Sequence, residues 1–350
     1  MSFIIRSVKS EDVSQLTDLA KQFNLLNLPG NKKIISEKID RSLKSFSGQL
    51  PKDQAEYIFV LEDIEEQYIV GSSLVIAKHG SDAVPHCYFK ILKRDHFSKD
   101  LGLGFIHQVL RFQLDNDGPT EIGGLLVDKS YRRRPEKLGK QISLGRFVYM
   151  GMYPEKFETR VLCELTPPLA EEGRSEFWEA LGRRFTGLPY QEADALSQTN
   201  KEFIESLFPE EDIYLSLLDA KARLVLGRVG EATKPAQHLL ESIGFSYLEE
   251  VDPFDGGPHY GCKTENILPI KKGQKLFLAN SNQQAKENTK DIAYSSLGFV
   301  GTGESDFRAA VCGYEIRDNE LYVPEKIRQI LRLDSKQEIF VTPFEYGRRK

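Results

Sequence analysis

The sequence predicts an α+β fold on mixed, mostly antiparallel sheets, and three observations point there. The N-terminal third orders its elements as strand, helix, helix and then two neighbouring β-rich runs, unlike the strict alternation of a doubly wound sheet. An apolar strand, Glu121-Ile-Gly-Gly-Leu-Leu-Val127, then passes through a basic turn into a helix. The C-terminal stretch reads as strand, helix, strand, the pattern of a small α/β lobe.

In order, Phe3–Val8 is a short strand, and a helix opens at Ser10 and runs to about Phe23. Its apolar positions Val13, Leu16, Leu19, Ala20 and Phe23 recur at helical spacing. A second helix, Ser36 to about Phe46, sets Ile39, Leu43 and Phe46 on one face. Tyr57–Leu61 and Tyr68–Ile76 flank the acidic run Glu62–Glu66 and read as a hairpin. Beyond the Arg-rich turn a helix extends to about Met150, and Arg160–Leu165 is the next strand. Residues 170–220 are helix-rich and hold the single tryptophan, Trp178. Pro235 starts a helix that Gly244 stops. The polar stretch Asn280–Asn288 reads as a linker or exposed loop, followed by Phe307–Val311, Pro324–Leu333 and Ile339–Thr342 as strand, helix and strand.

A chain of 350 residues suggests about two domains, and 40% hydrophobic with 28% charged residues is ordinary globular composition. Lys plus Arg total 47 against 52 Asp plus Glu, a net charge of −5. That balance argues against a nucleic-acid partner, which selects a basic excess, yet leaves room for one local phosphate site. No run approaches the ~20 apolar residues of a membrane helix, so no membrane partner is expected. Arg6 and Lys9 follow too short an apolar run for a signal peptide. Cys87, Cys163, Cys262 and Cys312 are dispersed without a CxxC pair. A disulfide framework is not expected, and a reducing, cytoplasmic compartment is.

Several motifs are absent. Gly102 and Gly104 start a GxG that His107 fails to complete, and Arg134 stands where a P-loop would begin. The histidines show no metal-ligand spacing, and neither HExxH nor GxSxG occurs, so no metal site is expected. His107, amid Phe105, Ile106, Val109 and Leu110, reads as a core or helix-surface residue, and Cys163 as packing on a buried strand. What remains is a strand, the run Arg132-Arg133-Arg134, then Lys137-Leu-Gly139-Lys140 and a helix. A helix N-terminus presents unpaired N–H groups and partial positive charge, which suit a pyrophosphate. Glycine permits close backbone approach, and Arg and Lys add charge-assisted bonds. The alternative for the same run is a solvated surface turn.

This arrangement resembles the acyl-CoA loop of GNAT-type N-acyltransferases, with Lys140-Gln141 in place of the second small residue. Longer segments are similar to the arginine N-succinyltransferase family: Glu56–Asp63, Glu172–Arg183, Asn200–Glu205 and Val251–Pro258. The resemblance implies two GNAT-like halves, residues 1–165 with the acyl-CoA loop and 166–268, followed by a lobe at 269–350. It implies transfer of a succinyl group from succinyl-CoA to the α-amine of arginine, with acyl-CoA a co-substrate and no permanently bound cofactor. A homo- or hetero-oligomer of related subunits is also implied. Departures from the family pattern are Gly104-Phe105 for His-Asn, Arg184 for His, and Gly230-Glu231 for His-Pro. They keep two alternatives open: a different acceptor amine or acyl donor, and a non-catalytic subunit paired with a catalytic paralogue.

Under the family mechanism, backbone groups of Leu125, Leu126 and Val127 hold the thioester arm, while Arg132, Arg133, Arg134, Lys137, Gly139 and Lys140 hold the phosphates. Glu121 and Glu164 are the candidate general bases. Arg174, Ser175, Trp178 and Glu179, placed together by helical spacing, and Asp255 in the loop with Asp252 are the candidate acceptor-binding residues. The same segment alternatively reads as an amphipathic helix with Phe177, Trp178 and Leu181 in its core.

Overall fold

In chain order the strands are β1 (Phe3–Ser7), β2 (Glu56–Asp63), β3 (Tyr68–Ile76), β4 (His86–Ser98), β5 (Leu103–Asp115), β6 (Thr120–Val127), β7 (Arg160–Glu164), β8 (Ile213–Tyr214), β9 (Ser246–Val251), β10 (Pro258–Lys263), β11 (Gln274–Leu278), β12 (Ser296–Thr302), β13 (Arg308–Arg317), β14 (Glu320–Tyr322) and β15 (Glu338–Pro343). The computed structural model describes residues 3–23, 27–170, 173–197, 201–279, 294–334 and 337–346. Asn280–Asn288, expected as a linker, lies outside them. No helix among the described residues is long and apolar enough to cross a membrane.

The chain forms two compact units, both discontinuous. Unit 1 comprises Met1–Lys78, Thr120–Thr159 and Lys263–Lys350; unit 2 comprises His79–Pro119 and Arg160–Cys262. The contiguous boundaries read from the sequence, 1–165, 166–268 and 269–350, differ from this division. The β4–β5 hairpin pairs with β9 and β8, which draws it into unit 2 although it precedes β6. The C-terminal stretch joins unit 1 because β13 pairs with β1.

In unit 1 the strand order is β12-β15-β11-β14-β13-β1-β2-β3-β6. Only β11–β14 is parallel among these pairs. Because β12 also pairs with β13, the five C-terminal strands close on themselves. The lobe expected as strand–helix–strand is thus a small barrel, filled by Leu276, Val300, Leu321, Ile339 and Val341 and by Ile327 and Leu331 of the adjoining helix Glu325–Leu331. Helices α1 (Val13–Ala20) and α2 (Lys32–Phe46) bury Leu16, Leu19, Ile35 and Ile39 against Ile58, Val60 and Leu74. The first of them begins with a 3₁₀ turn, Ser10–Asp12, and stops at Ala20. The second begins earlier than periodicity suggests, at Lys32, because the Asn31 side chain accepts the N–H groups of Lys33 and Ile34. Helix α3 (Leu138–Met152) is buried on nearly every side, and its Tyr149 ring packs against Phe46, Phe59 and Phe307 at 5.1, 5.7 and 5.3 Å. Each such fully buried ring or aliphatic chain contributes about 1.5–3 kcal/mol.

Unit 2 orders its strands β7-β10-β9-β4-β5-β8. Its core gathers Phe89 and Leu110 from the hairpin with Phe177, Trp178, Phe208 and Phe254. His107 lies on β5, correcting the reading of that segment as a helix or core. Its neighbours Phe105 and Ile106 are exposed.

Candidate functional site

The phosphate turn lies wholly in unit 1. Ser72 of β3 faces Leu126 and Leu74 faces Gly123, so Gly124 and Leu125 together oppose the single residue Ser73: β6 is bulged there. Gly124 has φ +57°, and a Cβ on it would stand 2.7 Å from Leu74 Cβ, so a larger residue is excluded. The bulge takes Gly124 and Leu125 out of ladder register with β3, while Leu126 and Val127 stay paired with Ser72 and Gly71. Glu121, at the other end of β6, is buried.

Asp128 ends the strand by accepting hydrogen bonds from the Ser130 N–H at 2.8 Å and Gln22 Nε2 at 2.7 Å. Burial alone would raise this carboxyl, but the bonds from Ser130, Gln22 and Tyr68 hold it below its usual range. Arg132 donates from Nε to the Val127 carbonyl and lies 4.7 Å from the Phe23 ring centre, while Arg134 lies 4.0 Å from that of Tyr131. Arg133 and Lys137 both take left-handed backbone conformations, φ +62° and +56°. Such residues cost of order 1–3 kcal/mol each and concentrate at ligand-binding turns.

Lys137 immediately precedes α3, whose first-turn N–H groups have no intrahelical partner. A Cβ on Gly139 would meet only Val127 Cγ2, at 3.8 Å, so the helix end is open beside it. Glu345 bridges the turn, accepting from Lys137 Nζ at 2.9 Å and Lys140 Nζ at 2.8 Å. Those two bonds, Lys140 first, lower its pKa. A cavity of about 410 Å³ adjoins the turn, lined by Pro135, Lys137, Gln141, Phe344 and Glu345 among others.

The other predicted residues lie in unit 2, and there the structure redistributes them. Helix α4 (Glu176–Ala180) begins after its N-cap Ser175, so Arg174 lies outside it and is not held beside Trp178 by helical spacing; the helix ends where Leu181 departs from helical geometry, and α5 (Gly182–Thr186) starts anew. Ser175 is an N-cap: its Oγ accepts the Trp178 N–H at 3.0 Å and donates to the Phe254 carbonyl at 3.1 Å. Trp178 is fully buried, stacks on Phe254 at 5.3 Å, and donates from Nε1 to the Leu188 carbonyl at 2.9 Å. Both are buried, with their polar side-chain groups held by backbone partners. Arg174 pairs with Glu176 at 3.1 Å and Glu179 with Arg183 at 2.9 Å, side chains of the partly exposed helix face.

Sequence reasoning missed the cluster around Glu164. His259, completely buried on β10, sets Nε2 3.7 Å from Glu164 Oε1 and Nδ1 4.0 Å from Glu250 Oε2. Glu250 is in turn held by Lys90 at 3.0 Å. His86 stacks on His259 at 5.5 Å, and His79 meets His86 edge-on at 4.7 Å. Strands β10 and β4 flank β9, so residues 173 positions apart become neighbours. Burial holds His86 neutral, with its pKa well below the ordinary value. Asp252 caps the following loop, accepting the Phe254 and Asp255 N–H groups at 2.7 and 2.9 Å. Asp255 accepts the Gly257 N–H at 2.7 Å. Burial raises both carboxyls, Asp252 further through Glu164 and Asp255 further through Asp252. Together these residues form a carboxylate–imidazole cluster in unit 2.

Two sets in it have metal-ligand composition, His79–His86–Glu164 and Glu164–Asp252–His259, with donor atoms within 4.8 Å of one another. A tetrahedral ion with bonds of about 2.1 Å brings donors to roughly 3.4 Å, so at their widest these sets are looser than a formed site. The described cysteines are all free thiols.

A bulged strand handing over to a helix N-terminus through a basic turn, on an α+β scaffold, is the arrangement expected of the acyl-CoA loop of a GNAT-type N-acyltransferase. The family model described as arginine N-succinyltransferase beta subunit matches residues 3–269. Relatives called arginine N-succinyltransferase from Shigella dysenteriae serotype 1 and Escherichia coli O6:K15:H31 are each 34% identical over 279 residues, 79% of this chain and 80% of theirs. The chain belongs to the arginine N-succinyltransferase family. Its fold is shared with arginine/ornithine succinyltransferase subunit AI from Pseudomonas aeruginosa at TM-score 0.82 and 24% identity, covering 98% of this chain and 99% of that one.

Proposed function

We propose that this chain transfers a succinyl group from succinyl-CoA to the α-amine of L-arginine. Family membership supports the reaction, and the bulge at Gly124–Leu125 running into the Arg132–Lys140 turn is the observation that carries it. In this reading the α3 N-terminus with Arg133, Lys137 and Lys140 takes the pyrophosphate, and Leu125–Val127 pair with the amides of the pantetheine arm. A backbone N–H of the bulged strand polarises the thioester carbonyl. The neutral amine attacks that carbon; the C–N bond forms, the C–S bond breaks, and the sulfur leaves as thiolate and takes up a proton. Before attack the α-ammonium gives its proton to a carboxylate, Glu121 or Glu164, the latter with His259 behind it. Asp252 and Asp255 are proposed as partners for the guanidinium. Acyl-CoA is a co-substrate here, not a resident group, and the site works in a soluble, cytoplasmic enzyme.

A second reading, the same chemistry on a different amine, is favoured by Gly230. The family pattern often has histidine there. Here the backbone is packed so closely that a Cβ would stand 2.9 Å from the Pro167 carbonyl oxygen, and the Gly230 N–H is bonded to the Thr166 carbonyl at 2.9 Å. Thiol release measured with succinyl-CoA and acetyl-CoA, each against arginine, ornithine and lysine, separates the two. Fastest release with succinyl-CoA and arginine is expected. Release with no pair, while calorimetry still detects acyl-CoA binding, overturns the assignment as an enzyme.

A further inference from the structure

Three histidines dispersed through the sequence, His79, His86 and His259, converge in unit 2. Strand β9 ends at Val251, which pairs with Phe89, so the first residues of β4 run on past it. Across that gap the His86 ring stacks on His259 of β10 at 5.5 Å. A turn carries His79 to the same place. Its N–H donates to the Pro119 carbonyl at 2.7 Å, and within the turn the Ser81 N–H donates to the Val84 carbonyl at 3.0 Å. The ring centres of His79 and His86 are thereby held 4.7 Å apart.

Both sets of metal-ligand composition include Glu164, but their members differ in what they already do. In one set Asp252 Oδ1 is committed to the N–H groups of Phe254 and Asp255. In the other, His86 is 3% exposed and its Nδ1 has no hydrogen-bond partner among the described residues. A buried ring nitrogen left in that state marks a place for a water or an ion. Donor atoms of His79, His86 and Glu164 lie within 4.8 Å of one another. Closing that spread to the roughly 3.4 Å of a tetrahedral ion takes about 1.4 Å, within reach of one side-chain rotation. The Glu164 side chain is 32% exposed and His79 is half-buried, so these two can turn inward while His86 stays fixed.

We propose that His79, His86 and Glu164 bind one divalent cation of the zinc class, with water in the fourth position. Two imidazoles and one carboxylate select zinc, nickel or copper over magnesium and calcium, which favour all-oxygen sites. Three protein ligands, one of them reached from solvent at Glu164, suit an ion that loads and leaves. Glu164 is also a candidate base in the reaction proposed above. A bound ion occupies the carboxylate that would take the substrate's proton, and so slows acyl transfer. That consequence rests on the proposed reaction; the site itself does not.

Titration calorimetry of the full chain with zinc chloride tests the site, alongside His79→Asn, His86→Asn and a control, His96→Gln/His107→Gln. The control removes a second neighbouring histidine pair, whose ring centres lie 5.4 Å apart across the β4–β5 ladder. One zinc per chain is expected, bound at least tenfold more weakly by each single variant and equally well by the control. Cobalt in place of zinc should give the visible bands of a four-coordinate ion, absent in His79→Asn. Because His79 is half-buried, that variant reads the site even where His86→Asn does not fold. No saturable binding by the wild type, or binding lost only in the control, overturns the proposal and leaves the acyl-transfer reading standing. Zinc that slows thiol release in the wild type but not in His79→Asn supports both the site and its consequence. Zinc that binds without slowing release upholds the site and removes Glu164 as the base.

Discussion

His259 Nε2 stands 3.7 Å from Glu164 Oε1, inside ion-pairing range but longer than a direct hydrogen bond. With Glu250 4.0 Å from the other ring nitrogen, the imidazole is sandwiched between two carboxylates in a completely buried position. In the proposed mechanism Glu164 takes the α-ammonium proton with this ring behind it. Glu164→Gln is therefore expected to lower kcat with arginine about 100-fold, the usual scale of a general base, and to leave the KM for succinyl-CoA within twofold. His259→Gln should lower kcat less and shift the limb of the pH–rate profile. Equal losses in kcat and in acyl-CoA affinity would instead mark the pair as structural.

Gly139→Glu and Arg133→Ala act on the other end of the reaction. A glutamate at the open first turn of α3 adds a charge that opposes the phosphates, and the arginine change removes a cation from the left-handed turn. Initial-rate kinetics should show the KM for succinyl-CoA rising about tenfold or more while that for the amine barely moves. If both constants rise together, the phosphates bind elsewhere.

Glu345 holds both lysines that the proposed site assigns to the phosphates. Surface ion pairs contribute about 0–1 kcal/mol, so releasing Lys137 and Lys140 by Glu345→Gln should tighten acyl-CoA binding by up to about fivefold at low salt. The gain should fade as ionic strength increases. Titration calorimetry at two salt concentrations reads both effects, and weaker binding in the variant would show that Glu345 helps shape the site.

Burial, and then the charge of Asp252, raises Asp194 to about 6. Between the ordinary aspartate value and about 6 the folded state binds more protons than the unfolded chain, so this group's contribution is present at acid pH and lost as pH rises through that window. Asp194→Asn removes the loss. Thermal unfolding should show a gain of about 2 °C or more at pH 8 and none at acid pH below the ordinary carboxylate range.

The framework reading of the tryptophan segment has its own signature. Trp178→Ala should cost about 3–5 kcal/mol in stability, and Ser175→Ala about 1 kcal/mol through the lost cap. Whatever folds should keep an unaltered KM for arginine. A selective rise in that constant for Ser175→Ala would return the residue to the substrate.

Much of this was legible in the sequence because it is local. The β-rich runs Tyr57–Leu61 and Tyr68–Ile76 on either side of an acidic stretch marked the hairpin, and the basic turn after Val127 marked the candidate phosphate end. Pairings between distant strands were not legible. The apolar run around His107 has the composition of a core element, and only the register with β4 shows that it is an exposed arm. Barrel closure depends on β12 meeting both β13 and β15, which no single window contains. His259 follows Gly-Gly-Pro, a turn signal that concealed a buried strand residue. The grouping of Arg174 with Trp178 was not legible as broken, because helical spacing carries back through Ser175, where the helix begins.

The pairing of Ile5 with Ala309 has a consequence for how the molecule is made. Strand β1 leaves the ribosome roughly 300 residues ahead of its partner, and closing so long a loop is slow relative to forming helices and neighbouring hairpins. Until that partner is synthesised, one flank of β1 is an open edge on an apolar strand. The nascent chain is thus most exposed to aggregation early, and a stop anywhere before β13 strands it there. Truncation from the C-terminus should remove solubility along with the barrel.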